Sequence, residues 1–234
     1  MKKLLTSMIC SILFLSVSGQ QKDNNKGQLD MAPVAGGFVK EIKFIPKQTE
    51  GTHYLQDNWS VGKVMLFNGS ALEDLQMKFD IEKSHLEIRT KGRTKLLQDT
   101  YIEEFTLLNT ESGSEMKFMN GSLYKENGVA SIGFFESILE GKLSLFSKTE
   151  LDIIKANYDA KFDVGEKSDK VVKSENYFVA NGKNVFRITK NKKENLKIFG
   201  DKSDLIYSYM KSEKLSFKNK EDLERIVVYY NSNI

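Results

Sequence analysis

Hydrophobic and polar residues alternate without a break over residues 154–164. Because successive side chains of a β-strand point to opposite faces, this pattern predicts a strand with one buried face and one exposed face. The buried face would hold Ile154, Ala156, Tyr158, Ala160, Phe162 and Val164. We therefore expect a β-rich protein in which this strand belongs to the core.

Shorter strand patterns separated by turn signals continue across residues 38–190, beginning with a candidate strand over residues 38–45. Four Asn-Gly dipeptides favour tight hairpin turns, because both residues tolerate positive φ angles. They are Asn68-Gly69, Asn120-Gly121, Asn127-Gly128 and Asn181-Gly182. Short strands with such turns indicate an antiparallel meander, sandwich or barrel. Residues 134–140 fit either a short helix or a strand.

Helical spacing replaces the strand patterns after Lys190 and predicts three short helices at about 191–199, 202–212 and 220–231. Asp201 and Asn219 are each followed three residues later by an aspartate, which is typical of an N-cap and an acidic first turn. Helices this short are marginal in isolation. We therefore expect a mainly β fold, α+β overall, with a tail of residues 191–234 packed on a β-rich domain of residues 38–190.

The first 19 residues have the layout of a secretory signal peptide, with a charged start, an apolar run over residues 4–17 and small residues before a cleavage point after Gly19. Polar residues interrupt the run, which is shorter than the roughly 18 apolar residues of a spanning helix. Residues 20–37 are polar and then small, as in a flexible leader. The sequence predicts export to the periplasm or the extracellular space, with no transmembrane span in the mature chain.

The amino-acid composition limits the kinds of binding and catalytic site that are expected in the mature chain. Cys10 is the only cysteine, lies in the signal peptide and follows no lipobox, so disulfides, cysteine metal sites and lipidation are not expected. The formal charge is +3, from 35 basic and 32 acidic residues, and the two signs are mixed along the chain. This mixing does not fit a nucleic-acid-binding protein. The glycines lie at turns rather than in a phosphate-binding loop, so no cofactor is expected.

The two histidines, His53 and His85, belong to no catalytic or zinc-binding motif. The sequence has no Gly-x-Ser-x-Gly elbow and no histidine pair at helical spacing. Both histidines are therefore expected to be ordinary surface residues. Trp59, in a polar run over residues 56–60, is the aromatic residue best suited to contact a ligand.

Four acidic residues surround one predicted turn and could offer oxygen ligands to calcium. They are Asp159, Asp163, Glu166 and Asp169. Lysines are interleaved with them, and their spacing matches no calcium-binding loop. The sequence therefore favours a solvated charged turn over a calcium site.

Several segments of the chain resemble a group of exported proteins of Gram-negative bacteria to which no function is assigned. The segments are the signal peptide, Phe134-Phe135-Glu136, Gly141-Lys142, Lys197-Ile198-Phe199-Gly200-Asp201-Lys202, Glu221-Asp222-Leu223 and Tyr229-Tyr230-Asn231. The resemblance implies an exported protein of Gram-negative bacteria. It implies no site residues.

The function favoured by these observations is an exported binding or interaction module of the cell envelope without catalytic activity. Its partner would be an unidentified ligand or another envelope protein. Two alternatives stay open: a carboxylate-dependent hydrolase on a β-scaffold, and an accessory subunit that docks through its helical tail. Carboxylate-pair chemistry needs two acids facing each other across a cleft, which the sequence alone does not test.

Overall fold

A computed structural model describes residues 39–41, 50–157, 162–165 and 168–233. The predicted signal peptide and leader, and most of the candidate strand at residues 38–45, lie outside these residues. The elements are β1 (Val39–Glu41), β2 (Ser60–Leu66), β3 (Ala71–Asp80), β4 (His85–Thr90), β5 (Arg93–Gln98), β6 (Ile102–Leu108), β7 (Glu115–Asn120), β8 (Lys125–Glu126), β9 (Val129–Ala130), β10 (Phe134–Leu139), β11 (Leu143–Ile154), β12 (Lys170–Asn181), β13 (Asn184–Arg187), α1 (Lys192–Lys197), α2 (Ser203–Ser212) and α3 (Lys220–Ser232). None of the described helices is long and apolar enough to cross a membrane.

The described strands form one open sheet in the order β1-β5-β4-β3-β2-β6-β7-β10-β11-β12-β13-β8-β9. Neighbouring strands are antiparallel, apart from a short parallel pairing of β13 with β8. The prediction of a mainly β fold followed by short helices is confirmed. Of the three architectures that the sequence left open, the structure is closest to the meander.

The sheet curves strongly, and its concave face encloses the first hydrophobic core. Phe79 of β3 and Phe134 of β10 are separated by three strands in the sheet, yet their ring centroids are 5.5 Å apart. Phe105 and Phe118 stack beside them, with centroids 4.7 Å apart. Aromatic rings on four different strands therefore hold this curvature in place.

The second core joins the helices to the far half of the sheet. Leu143, Leu145 and Val179 of β11 and β12 pack against buried residues of the tail, which include Ile206, Met210, Leu223, Ile226 and Val227. The three predicted helices are confirmed to within two residues at each end. Asn219 caps α3 as predicted, since its side chain accepts a hydrogen bond from the Asp222 N–H. The Asp201 cap is wrong, because Asp201 lies in a 3₁₀ turn and α2 begins at Ser203.

The predicted strand at residues 154–164 is wrong. β11 ends at Ile154, where its last partner in β12 is Lys170, and residues 155–157 are not in a strand. Phe162 and Val164 are 74% and 58% exposed, and the centre of the pattern at residues 158–161 lies outside the described residues. The alternation of apolar and polar residues therefore continues in the sequence beyond Ile154, where the pairing of β11 with β12 ends.

Three of the four Asn-Gly dipeptides lie at turns between paired strands, at residues 68, 127 and 181. At the third, Asn181 pairs with Asn184, so the turn itself consists of Gly182 and Lys183. The hairpin predicted at Asn120-Gly121 is wrong. Asn120 has φ −62°, and its side chain donates to the carbonyls of Asp99 and Ile102 while accepting from the Ser122 N–H. Tertiary hydrogen bonds therefore override the local turn preference there. The ambiguous segment at residues 134–140 is a strand, β10.

Candidate functional site

A cleft opens where the sheet meets the helical tail. It has a volume of about 670 Å³ and lies between β12, the segment after β13, α1 and the loop that joins α2 to α3. Its lining consists of Glu175, Asn176, Tyr177, Ile188, Thr189, Lys190, Lys192, Asn195, Met210, Leu215, Ser216, Phe217 and Lys218. A cleft of this size is in the range that binds small molecules.

The apolar part of the lining consists of Ile188, Met210, Leu215 and Phe217. The last three of these side chains are buried and belong to the second core. Hydrogen bonds fix the loop that carries Leu215 and Phe217. The Leu215 N–H donates to the Met210 carbonyl at 2.9 Å, and the Ser216 N–H donates to the Asp222 carboxylate at 2.8 Å. The apolar surface is therefore preformed rather than carried by a loose loop.

Three exposed lysines, Lys190, Lys192 and Lys218, line the same cleft. None of them forms a salt bridge with another described residue, although the Lys192 ammonium lies 4.5 Å from the centre of the Tyr207 ring. Glu175 is the one carboxylate in the lining, so lysines outnumber it three to one. The cleft thus combines an apolar surface with an excess of positive charge.

Two sets of polar contacts position the edges of the cleft. The Asn195 side chain donates to the Thr189 carbonyl at 2.8 Å and accepts from the Thr189 N–H at 3.0 Å, which fixes the segment carrying Ile188 and Lys190. On β12, the Tyr177 hydroxyl donates to Glu175 at 2.7 Å. Burial, followed by this hydrogen bond, raises the pKa of Tyr177.

A second polar cluster lies at the turn of the β3–β4 hairpin, on the face opposite the first core. Asp80 and His85 are directly opposed in the hairpin, and Glu87 follows on the same face of β4. They are only 1%, 5% and 6% exposed. One possible ligand atom from each lies within 4.8 Å of the others, which makes this cluster a candidate metal site.

Residues 53–55 cover this cluster by pairing with the end of β3. The Leu55 N–H donates to the Phe79 carbonyl, and the Ile81 N–H donates to the His53 carbonyl, both at 2.9 Å. The Tyr54 hydroxyl then reaches Glu87 at 2.7 Å. Burial lowers the pKa of His85, although the neighbouring Asp80 and Glu87 carboxylates oppose this shift. Its imidazole is therefore neutral at neutral pH and has a lone pair to offer.

The expectation that His85 is a surface residue is wrong, because residues 53–55 bury the hairpin turn beneath them. His53 is partly exposed, and its imidazole lies 3.5 Å from the Asp80 carboxylate. The sequence carried a signal for this cluster. Asp80 on β3, and His85 and Glu87 on β4, occupy the polar positions of two alternating strands, so a hairpin between them places all three on one face.

Trp59 lies beside this cluster rather than in the cleft. The Arg89 guanidinium is 4.1 Å from the centre of its indole ring, and the Lys78 ammonium is 5.7 Å away. These contacts are cation–π interactions, which stabilise the polar face of the hairpin. A ligand contact at Trp59 stays a prediction.

The four acidic residues predicted around the turn are described only in part, since Asp159 and Glu166 lie outside the described residues. Asp163 has φ +50°, in the left-handed region. The Asp169 carboxylate accepts hydrogen bonds from the Lys155 ammonium at 2.6 Å and from the Ala156 N–H at 2.9 Å. These bonds lower the pKa of Asp169. A calcium site here stays a prediction.

Comparison with known proteins gives no relative from which a function could be carried over. No family model matches the chain, and no match was found among curated proteins or solved structures.

Proposed function

We propose that the protein is an exported, non-catalytic binding module of the cell envelope that binds a small amphipathic anion in the cleft between β12 and the helical tail. The observation that carries this proposal is the meeting of a preformed apolar surface with three lysines in one cleft of about 670 Å³. The proposal of export rests on the signal-peptide pattern of residues 1–19.

The ligand class follows from the two kinds of surface in the cleft. Met210, Leu215 and Phe217 would contact the apolar body of the ligand, since burial of apolar surface is the main favourable term in such pockets. Lysine ammonium groups at the cleft would attract an anionic headgroup and fix its orientation. A carboxylate on an alkyl chain is the simplest molecule with both properties.

Isothermal titration calorimetry with dodecanoate, and with dodecanol as its uncharged counterpart, tests the proposal. We expect the protein to bind dodecanoate with one site per chain and to bind dodecanol at least about tenfold more weakly, because the alcohol lacks the charge. The triple variant Lys190→Glu, Lys192→Glu, Lys218→Glu should weaken dodecanoate binding by at least about tenfold as well.

The triple variant Lys142→Glu, Lys183→Glu, Lys211→Glu is the matched control. It changes the net charge equally at three exposed lysines that do not line the cleft. It should bind dodecanoate as the unmodified protein does. Equal binding of dodecanoate and dodecanol, or equal effects of the two triple variants, would count against the proposed ligand class.

Cell fractionation tests the proposed location. Expressed from its full gene in a Gram-negative host, the protein should be recovered from the envelope or the medium, with its N-terminus at Gln20 by mass spectrometry. Recovery of the intact precursor from the cytoplasm would contradict export.

A carboxylate-dependent hydrolase is the second candidate, and Glu136 is the residue that favours it. Burial raises the pKa of Glu136, and the Ser147 hydroxyl donates to its carboxylate at 3.3 Å. A carboxyl group that holds its proton at higher pH is suited to general acid catalysis. Screening the purified protein against glycan and peptide substrates separates the candidates, since a hydrolase would show turnover that is lost in Glu136→Gln.

A further inference from the structure

Two buried atoms at the β3–β4 turn have no hydrogen-bond partner among the described residues. They are Asp80 Oδ2 and His85 Nε2, which lie 3.7 Å apart. This distance is too long for a hydrogen bond between them. Leaving buried polar atoms unpaired is costly, so each such atom in a folded protein calls for a physical explanation.

Hydrogen bonds orient both carboxylates of the cluster. Asp80 Oδ1 accepts a hydrogen bond from the Lys83 N–H at 2.9 Å, which orients the carboxylate. Glu87 Oε1 accepts from the Tyr54 hydroxyl at 2.7 Å, which orients the second carboxylate. With both carboxylates oriented in this way, one possible ligand atom from each of Asp80, His85 and Glu87 lies within 4.8 Å of the others.

The spacing of the unpaired atoms fits a metal ion between them. Zinc binds nitrogen and carboxylate oxygen at about 2.0–2.2 Å, so two ligands of a tetrahedral site lie roughly 3.4 Å apart. The 3.7 Å between Asp80 Oδ2 and His85 Nε2 needs only a small adjustment to reach that value. A divalent ion would also offset the charge of two carboxylates that are 1% and 6% exposed.

We propose that Asp80, His85 and Glu87, whose ligand atoms lie within 4.8 Å of one another, form a binding site for a first-row divalent metal ion such as Zn²⁺. A rotation of the His53 side chain would bring its imidazole in as the fourth ligand. His53 Nε2 lies 3.5 Å from Asp80 Oδ2, and the side chain is partly exposed. Two imidazoles with two carboxylates suit zinc and its neighbours, whereas Ca²⁺ and Mg²⁺ prefer oxygen ligands alone.

The site would be a structural metal site rather than a catalytic one. Three of its ligands are buried, and closed sites of this kind stabilise folds rather than activate water. His53 belongs to the segment that covers the β3–β4 hairpin, and the same segment contacts β12, where the Lys173 ammonium donates to the Leu55 carbonyl at 3.2 Å. The metal ion would therefore crosslink the segment of residues 53–55 to the β3–β4 hairpin. The proposal is independent of the ligand cleft.

Histidine NMR gives a direct test, because the chain contains only two histidines. The mature protein, labelled with ¹⁵N-histidine and stripped of metal with a chelator, is titrated with Zn²⁺. We expect the imidazole signals of both His53 and His85 to change and to stop changing at one equivalent of zinc. An unchanged His85 signal at one equivalent would overturn the proposal.

Two isosteric substitutions on the same strand test the ligand set by competition with a zinc-binding dye. Asp80→Asn removes the charge of one proposed ligand and should weaken zinc binding by at least about 100-fold. Asp74→Asn is the control, since Asp74 is an exposed residue of β3 and should leave the affinity unchanged.

Equal zinc affinity of the two variants would place the ion elsewhere and overturn the proposal. The NMR titration decides the matter without a variant if Asp80→Asn does not fold. Calcium provides the last comparison: the histidine signals should not move at one equivalent of Ca²⁺. Saturation by calcium at that ratio would contradict the proposed ligand set.

Discussion

Glu136 is a residue whose titration should be visible in the stability of the protein. Burial is the largest cause of its raised pKa, and Glu175 adds to it, while Lys220 and Ser147 oppose it. Between the ordinary pKa of 4.5 and the raised value, the folded state binds more protons than the unfolded state. The contribution of Glu136 to stability is thus fully present below pH 4.5 and is lost as the pH rises through the folded-state pKa.

Glu136→Gln should remove this pH dependence, since the amide stays neutral. We expect the variant to gain stability relative to the unmodified protein as the pH rises through this window, and then to keep a constant advantage. Urea unfolding at a series of pH values measures the difference. Glu115→Gln, which removes an exposed carboxylate of β7, controls for the change in net charge. A constant difference across the window would refute the assignment to Glu136.

Some residue roles could be predicted from the sequence, and others depend on distant segments. The Asn219 cap was predictable because it needs only the neighbouring Asp222 N–H. The role of Asn120 was not predictable, because its side chain meets the carbonyls of Asp99 and Ile102 only in the folded protein. The same reason applies to His85, whose position on the outer face of β4 follows from alternation, but whose burial depends on where residues 53–55 pack.

At the scale of elements, Asn231 joins the end of α3 to the start of β11. Its side chain accepts from the Leu143 N–H at 2.9 Å and donates to the Leu143 carbonyl at 2.8 Å. Asn231→Ala would leave both backbone groups of a buried residue without these partners. We expect a loss of about 1–3 kcal/mol in the free energy of unfolding, measured by urea denaturation.

Asn233→Ala is the control for this prediction. Asn233 is exposed, and among the described residues its side chain bonds only to the Tyr229 carbonyl of its own helix end. Its loss should cost less than about 1 kcal/mol. Equal costs for the two substitutions would mean that the contact between α3 and β11 adds nothing beyond helix capping.

Elements whose ends are set by local chemistry were predictable, as the helices and the hairpin at Asn181-Gly182 illustrate. The end of the strand predicted at residues 154–164 was not predictable from local chemistry, because a β-strand needs a neighbouring strand for its backbone hydrogen bonds. The β11–β12 ladder ends at the pair Ile154 and Lys170. The alternating residues after Ile154 have no described partner strand.

For the whole molecule, the helical tail should be part of the folding unit. The second core contains Leu143, Leu145 and Val179 from the sheet and eight further buried residues from 199 to 227. Deleting residues 191–234 would expose this face of the sheet to water. We expect the shortened chain to lose cooperative urea unfolding, monitored by circular dichroism. A folded remainder that no longer co-purifies with a partner would instead favour an accessory subunit.

The fold class was predictable because it depends on the sum of many local patterns. The arrangement as one open, curved sheet was not, because it depends on contacts such as that between Phe79 and Phe134 across three intervening strands. The cleft was unpredictable for the same reason. Its lysines and apolar side chains come from four separate segments between residues 175 and 218.

The central claim, that the cleft between β12 and the helical tail binds an amphipathic anion, can be tested at one side chain. Met210 lines this cleft, whereas Met77 is buried in the first core. In a protein labelled with ¹³C at the methionine methyl groups, NMR titration with dodecanoate should shift the Met210 signal, assigned with Met210→Leu, and leave the Met77 signal in place. An unmoved Met210 signal at saturating dodecanoate would contradict the claim.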